Sequence, residues 1–458
     1  MENTSIYEIS KWCDGKILRE GERNSITSVS IDSRKIKEGD LFVPLMGENV
    51  DGHSFISSAF EKGAVASLID KNCDIPDGSG TVIQVENTME ALQKIAQNYK
   101  KTFDIPVIGV TGSVGKTTTK EMIASVLSAE VDVLKTQGNY NGQIGLPLTL
   151  LEIEAHHEAM VVEMGISKFG EMEKLSEIVE PDIGVITNIG ISHIENLKTQ
   201  ENIREEKLKI LKNYNGKYFL NGDSPFLAQL GKTRLNDVVY FGLNGAYQYR
   251  AEDILSYQNT TEFTLITPDF KESLVIPCLG IHNVYNALAA ISIALEIGMY
   301  FDDIKTGLLN YKGVSMRQEI SEINGINIID DSYNASPDSV KSALAVLRAL
   351  KSEGRNIAVI ADMLELGDNT EKIHYDLGKY IALEGINILV TVGNLSKFIH
   401  QGANDSSLPI KTMHFSNNEE AGRCIYGFLE TGDKVLFKGS RGMHVDEIVS
   451  AVKKNLSN

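Results

Sequence analysis

IPVIGVTGSVGKTTT (residues 105–119) runs a short apolar strand into a glycine turn and then into a helix that opens at the Lys-Thr pair. Glycines let backbone N–H groups turn inward, and a helix N-terminus adds partial positive charge, so this order of elements suits a phosphate group. The Lys116 ammonium can reach the outer phosphates of a nucleotide, and the Thr117 hydroxyl can ligate magnesium. The expected ATP contacts are Gly112, Ser113, Gly115, Lys116, Thr117 and Thr118. Val110 stands where the strict GxxxxGK[ST] pattern has its first glycine. The bland alternative is a glycine turn that only caps a helix, and strand, GK[ST] and helix in the correct order favour the nucleotide.

Outward from this loop, Ala159–Glu163 and Ile183–Ile189 read as further buried strands, with helical segments between them. Such alternation predicts a parallel sheet covered on both faces. Ligands in such sheets sit beyond the strand C-termini. Glu163 follows AMVV there, and His193 follows TNIGIS. Each alone is more often structural than a ligand; with Lys116 on one crevice they form a candidate metal and phosphate site.

The expected fold is α/β in three domains: a small N-terminal α/β domain (1–86), a central P-loop parallel-sheet ATPase domain (87–314) and a C-terminal Rossmann-like α/β domain (315–458). The first zone has short strands at Ser28–Ile31 and Leu41–Pro44 and a helix over Phe55–Lys62. The central zone opens with a helix, Thr88–Lys100; after Lys217 short strands rich in Tyr, Phe and Thr suggest a β-rich insertion, closed by a helix over Asn283–Ile297. In the last zone NIAVIA (356–361), NILVTVG (387–393) and DKVLFKG (433–439) are again buried-strand runs.

Composition limits the partners. A formal net charge of -18 over 458 residues argues against non-specific nucleic-acid binding. MENTSIYEISKW has no basic start followed by an apolar core, and no stretch of about 18 apolar residues occurs, so neither a signal peptide nor a membrane span is expected. Cys13, Cys73, Cys278 and Cys424 are widely spaced, as free thiols would be. These features predict a cytoplasmic protein, expected as a monomer.

TGSVGKTTTKE (111–121), VVEMG (161–165), TNIGISH (187–193) and GIHNVYNALAA (280–290) resemble the Mur ligases, which add amino acids to the peptidoglycan precursor. DSRKIKEGDLFVPLMGENVDGHSFISSAFEKGA (32–64), DDSYNASPDSV (330–340) and KGSRGM (438–443) look like the branch that joins D-Ala-D-Ala to a UDP-muramoyl tripeptide. The resemblance runs from about Ser28 to Val449. It implies an ATP- and Mg2+-dependent ligase whose small-molecule substrates are a UDP-muramoyl peptide and D-Ala-D-Ala. It implies Thr117, Glu163, His193 and Lys207 at the metals, with Lys116, His193 and Lys207 serving catalysis and Lys207 carrying a carbamate.

Without the resemblance Lys207 is a solvated lysine on a charged helix, and Lys209 is the alternative carrier. The resemblance further implies Asn283 and Asn286 at the nucleotide base, Arg317 at the phosphates and Asp331 at the ribose. From sequence alone, Asn283 is equally an N-cap. For the substrates it implies Ser33 and Arg34 at the uridine nucleotide, Asn139 and Asn141 at the precursor, and Asn334 and Ser336 at the dipeptide. Lys438, Ser440 or Arg441 would face the dipeptide carboxylate. Gly142, Ser336, Ala361 and Asp446 depart from the family's usual residues. The alternatives are a family member adding a single amino acid, and a nucleotide-binding switch without ligase chemistry.

Overall fold

The computed structural model describes all residues except 2, 48–49, 213–215, 229, 231–236, 258 and 458. Two positions of the 32–64 segment, Glu48 and Asn49, therefore lie outside the described residues.

The central sheet has nine strands. Val107–Thr111, Ala159–Glu163 and Ile183–Ile186 lie side by side and parallel, every residue of each buried. Only continuous apolar runs suit strands covered on both faces. The segment after Lys217 is β-rich, as read from the sequence, and its strands join the central sheet. Lys217–Asn221 and Val238–Gly242 continue the same parallel sheet from Ile183–Ile186. Tyr249–Tyr257, Thr260–Ile266 and Lys271–Ile276 then close its edge as an antiparallel meander. Burial in Thr260–Ile266 alternates, so one face packs inward and the other takes Thr and Glu to solvent.

The first sheet orders Lys16–Arg19, Thr81–Val85, Ala66–Asp70, Asp40–Phe42 and Ser28–Ser30, parallel except for its first strand. The third sheet has six strands, parallel except at the edge strand Glu319–Ile323. Ile326–Asp330, Asn356–Ala361 and Lys434–Lys438 bring their C-terminal ends to the side that faces the central domain.

One apolar core runs without a break from Ile6, Leu41 and Ile83, through Leu92, Ile95 and Tyr99, to Val162 and Leu220. The helix Thr88–Lys100, N-capped by Asn87, joins the first sheet to the central one. The third domain has its own two cores, one on each face of its sheet, reached from the central domain by Leu279 and Ile191. Among the described residues no helix is long and apolar enough to cross a membrane, and the four cysteines are free thiols.

Candidate active site

The strand Val107–Thr111 delivers its chain into Gly112–Gly115, and the helix Lys116–Leu127 follows. Gly112 has φ 153° and Gly115 has φ 88°, conformations that a side chain disfavours. A Cβ on Gly112 would collide with the Thr187 hydroxyl, and one on Gly115 would lie 3.0 Å from Asn286 Oδ1. The loop is clamped by the end of the neighbouring strand. Ser113 N–H donates to Asn188 O (3.1 Å), Val114 N–H to Asn188 Oδ1 (2.8 Å) and the Thr187 hydroxyl to Val114 O (2.5 Å). The Ser113 amide is thus committed to the protein, and the first-turn N–H groups from Lys116 onward remain for an anion. Thr187 and Asn188, which hold the loop, were not singled out in the sequence. Their signal was the Thr-Asn pair directly after a buried strand.

Lys116 Nζ and Lys207 Nζ both donate to Gly112 O, at 3.0 and 3.1 Å. Burial lowers the Lys116 pKa. It lowers that of Lys207 well below the usual lysine range, and the neighbouring Lys116 charge adds to this. Lys209 turns the other way, to Glu206 at 2.7 Å. Of the two lysines, Lys207 is the one brought to the loop. Two lysine amino groups thus converge on one carbonyl.

Glu163 is 2% exposed. Its carboxylate accepts from the Thr117 hydroxyl (2.7 Å) and the Asn141 amide (2.8 Å). A buried carboxylate and a hydroxyl are hard oxygen donors of the kind magnesium takes. Among the described residues no group of three or more His, Cys, Asp and Glu is close enough to hold a metal by itself. A cation here would therefore draw on Thr117, on Lys207 chemistry or on a bound nucleotide as well. His193 has φ 61°, and its Nδ1 lies 2.5 Å from Glu365 Oε2 of the third domain.

The helix Ile281–Glu296 borders the same crevice. Its N-cap is Gly280, so the capping reading of Asn283 is corrected: Asn283 lies inside the first turn and donates to Leu279 O (2.7 Å). Gly280, with φ 101°, takes the cap's backbone position. Asn286 donates to Asn283 Oδ1 (3.0 Å) and accepts from the Thr119 hydroxyl (2.9 Å). His282 Nε2 meets Gln318 Oε1 at 2.8 Å, and burial lowers its pKa to about 4.

From the third domain, Lys438 Nζ meets Asp331 Oδ2 (2.5 Å) and Asn334 O (2.9 Å). Burial pushes Asp331 up and Lys438 down, and their attraction opposes both shifts. Arg317 lies over the Tyr333 ring at 4.2 Å. Ser336 is the N-cap of Pro337–Ala349, with Pro337 in its first turn, so its side chain has a structural task. Asn334 is exposed, and its Oδ1 accepts from Ala335 N–H.

One cavity of about 1160 Å³ joins these groups. Ser113, Gly115, Lys116, Thr117, Thr118, Asn141, Glu163, His193, Asn283 and Asn286 line it from the central domain, and Arg317, Asp331, Asn334 and Ser336 from the linker and third domain. Gly112, Lys207, Ser33, Arg34 and Asn139 are not among the residues that line it. Arg34 is 85% exposed and bound bidentately to Asp32 at 2.8 and 2.9 Å, as an Asx turn allows.

The assembled geometry is that of a phosphate loop facing a second α/β domain, and comparison with known proteins agrees with it. The Mur ligase family catalytic domain matches residues 25–100, the Mur ligase middle domain 110–294, and the Mur ligase glutamate ligase domain 316–441. The chain belongs to the Mur ligase family. It is 39% identical over 453 residues to the UDP-N-acetylmuramoyl-tripeptide–D-alanyl-D-alanine ligase of Bacillus subtilis, covering 98% of each chain. Its fold matches the crystal structure of MurF from Acinetobacter baumannii with a TM-score of 0.92 at 29% identity, over 99% of each chain. It matches MurF ligase from Thermotoga maritima in complex with ADP with a TM-score of 0.83 at 29% identity, over 94% of this chain and 97% of that one.

Proposed function

We propose that this protein is an ATP-dependent ligase that joins D-Ala-D-Ala to UDP-N-acetylmuramoyl tripeptide, releasing ADP and phosphate. One observation carries the reading: the phosphate loop and the Asp331–Lys438 pair of another domain open on one cavity. A nucleotide switch needs the loop but not the second domain. Relatives matched over nearly the whole chain bear the name of that ligase.

A carboxylate is a poor electrophile, and phosphorylation gives it a leaving group. The terminal carboxylate of the tripeptide attacks the γ-phosphate and forms an acyl phosphate, and ADP departs. The D-Ala-D-Ala amine then attacks the acyl carbon, loses a proton, and expels phosphate. The protein's part is positioning and charge neutralisation. Lys116 and the helix N-terminus hold the phosphates, and Arg317 adds charge from the linker. Asp331 takes the ribose hydroxyls, and Asn283 and Asn286 border the base. Magnesium, held by Thr117, Glu163, His193 and a carbamylated Lys207, would supply Lewis-acid charge to the phosphates. The lowered pKa of Lys207 favours the neutral amine that carbon dioxide needs.

We assign residues 1–86 to the UDP substrate through Ser33 and Arg34, residues 87–314 to ATP, and residues 315–458 to the incoming amine through Asn334. Asn139 and Asn141 face the precursor. The protein works in the cytoplasm as a monomer. The test is phosphate release with ATP and UDP-muramoyl tripeptide, comparing D-Ala-D-Ala with single amino acids. Release that needs both UDP substrate and dipeptide is expected. Equal release with a single amino acid would move the protein to another branch, and release independent of both would exclude a ligase.

A further inference from the structure

Glu365 reaches His193 from the third domain. Both residues are non-glycine and both have left-handed backbones, φ 63° and 61°. Such conformations persist where the surroundings over-determine them, and they cluster at functional sites. His193 Nδ1 lies 2.5 Å from Glu365 Oε2, and no other hydrogen-bond partner reaches that nitrogen among the described residues. The backbones meet as well: Glu195 N–H points at Glu365 O over 3.4 Å.

The loop that presents Glu365 is tied to its own domain. Leu364 N–H donates to Ser440 Oγ at 2.9 Å, and Met363 N–H to His374 Nε2 at 3.0 Å. Ser440 follows the strand whose Lys438 pairs with Asp331. A short path of contacts therefore runs from the Asp331–Lys438 side of the third domain to the His193 imidazole.

We infer that Glu365 is a positioning residue, which orients His193 from across the domain junction so that His193 can take a divalent cation through Nε2 only when the third domain is in place. The inference rests on the reading of His193 as a metal ligand. Its chemistry is general: a histidine ligand is oriented by what its second nitrogen faces, and removing that partner weakens metal binding about 10- to 100-fold.

Mn2+ binding, followed by electron paramagnetic resonance, tests it on the full-length enzyme with a non-hydrolysable ATP analogue and the UDP substrate. E365A is expected to weaken Mn2+ about tenfold. E365Q, which keeps an acceptor, should recover most of that loss. In an H193A background, E365A should cost nothing further. Wild-type Mn2+ affinity in E365A, with weakened affinity in H193A, would overturn the positioning role and leave the metal assignment standing. Unchanged affinity in H193A would overturn the metal assignment, and this inference with it. A loss in E365A accompanied by expanded scattering dimensions would make Glu365 a latch between the domains and likewise overturn the positioning role.

Discussion

Replacing Gly112 by alanine puts a methyl group where the Thr187 hydroxyl already sits. The same Cβ would lie 3.1 Å from Thr187 Cβ and 3.3 Å from Asn188 N, inside the ~3.5 Å at which non-bonded heavy atoms rest. Thr187 has little room to yield, because its hydroxyl is bonded to Val114 O. Overpacking costs about 1–3 kcal/mol, and a φ of 153° costs an alanine about 1–3 kcal/mol more. The loop must then shift by something near 1 Å, which is enough to lower turnover about 100-fold when reacting groups are misplaced. Thr187→Ala alone loses one hydrogen bond, about 1 kcal/mol. In the double variant the overlap with the hydroxyl disappears while the backbone strain stays. The cycle should therefore show a favourable coupling of about 1–3 kcal/mol. Nucleotide affinity by calorimetry and phosphate release give the four corners. Strictly additive losses, or wild-type nucleotide affinity in Gly112→Ala, would refute the clamp.

Lys116→Ala should keep its circular dichroism spectrum and lose about 10²–10³ in kcat, since a charge on phosphate oxygens is removed; near-normal kcat in the folded variant would end the phosphate-loop assignment. Lys207→Ala should lose at least about 10²-fold in phosphate release, with partial recovery by a small added carboxylate, whereas Lys209→Ala should lose far less; the reverse order would show that the wrong lysine was chosen. His282, with its pKa lowered to about 4, makes stability fall as pH drops. The unfolded imidazole takes its proton near pH 6.5 and the folded one only near 4, so the contribution is whole above about 6.5 and lost progressively down to about 4, by at most about 3 kcal/mol and less with the ring's partial exposure. Urea midpoints at pH 7 and pH 5 should diverge more for wild type than for His282→Gln, and equal divergence would exclude this histidine as the cause.

Local order was the legible part of this chain. Strand, glycine turn and helix adjoin in sequence, so Lys116 and Thr117 could be read from fifteen residues, and Glu163 was visible because a charge rarely ends a fully apolar strand. The helix Thr88–Lys100 and the strand Asn356–Ala361 coincide with their sequence bounds, since periodicity and capping are local. Pairing is not local. The Tyr- and Thr-rich segment after Lys217 reads as β-rich, but nothing in it says which sheet edge it joins. The Asn188 clamp and the Glu365 contact with His193 were out of sight for the same cause, being formed by residues 74 and more positions apart. The cap of the helix Ile281–Glu296 was misassigned because Asn283 has a capping side chain while Gly280 has the capping backbone.

The unbroken core from Ile6 to Leu230 has a thermal consequence. The first and central sheets share the helix Thr88–Lys100 and its buried side chains, so neither can expose its apolar surface without uncovering the other's. They are expected to melt as one cooperative unit. The third domain meets them through polar contacts such as that of His193 with Glu365 and through Leu279 and Ile191, and has two cores of its own. A calorimetric scan should resolve two endotherms, divided near the linker around Arg317. A ligand that touches both sides of the cavity should draw them together, because its binding energy is lost when either side unfolds.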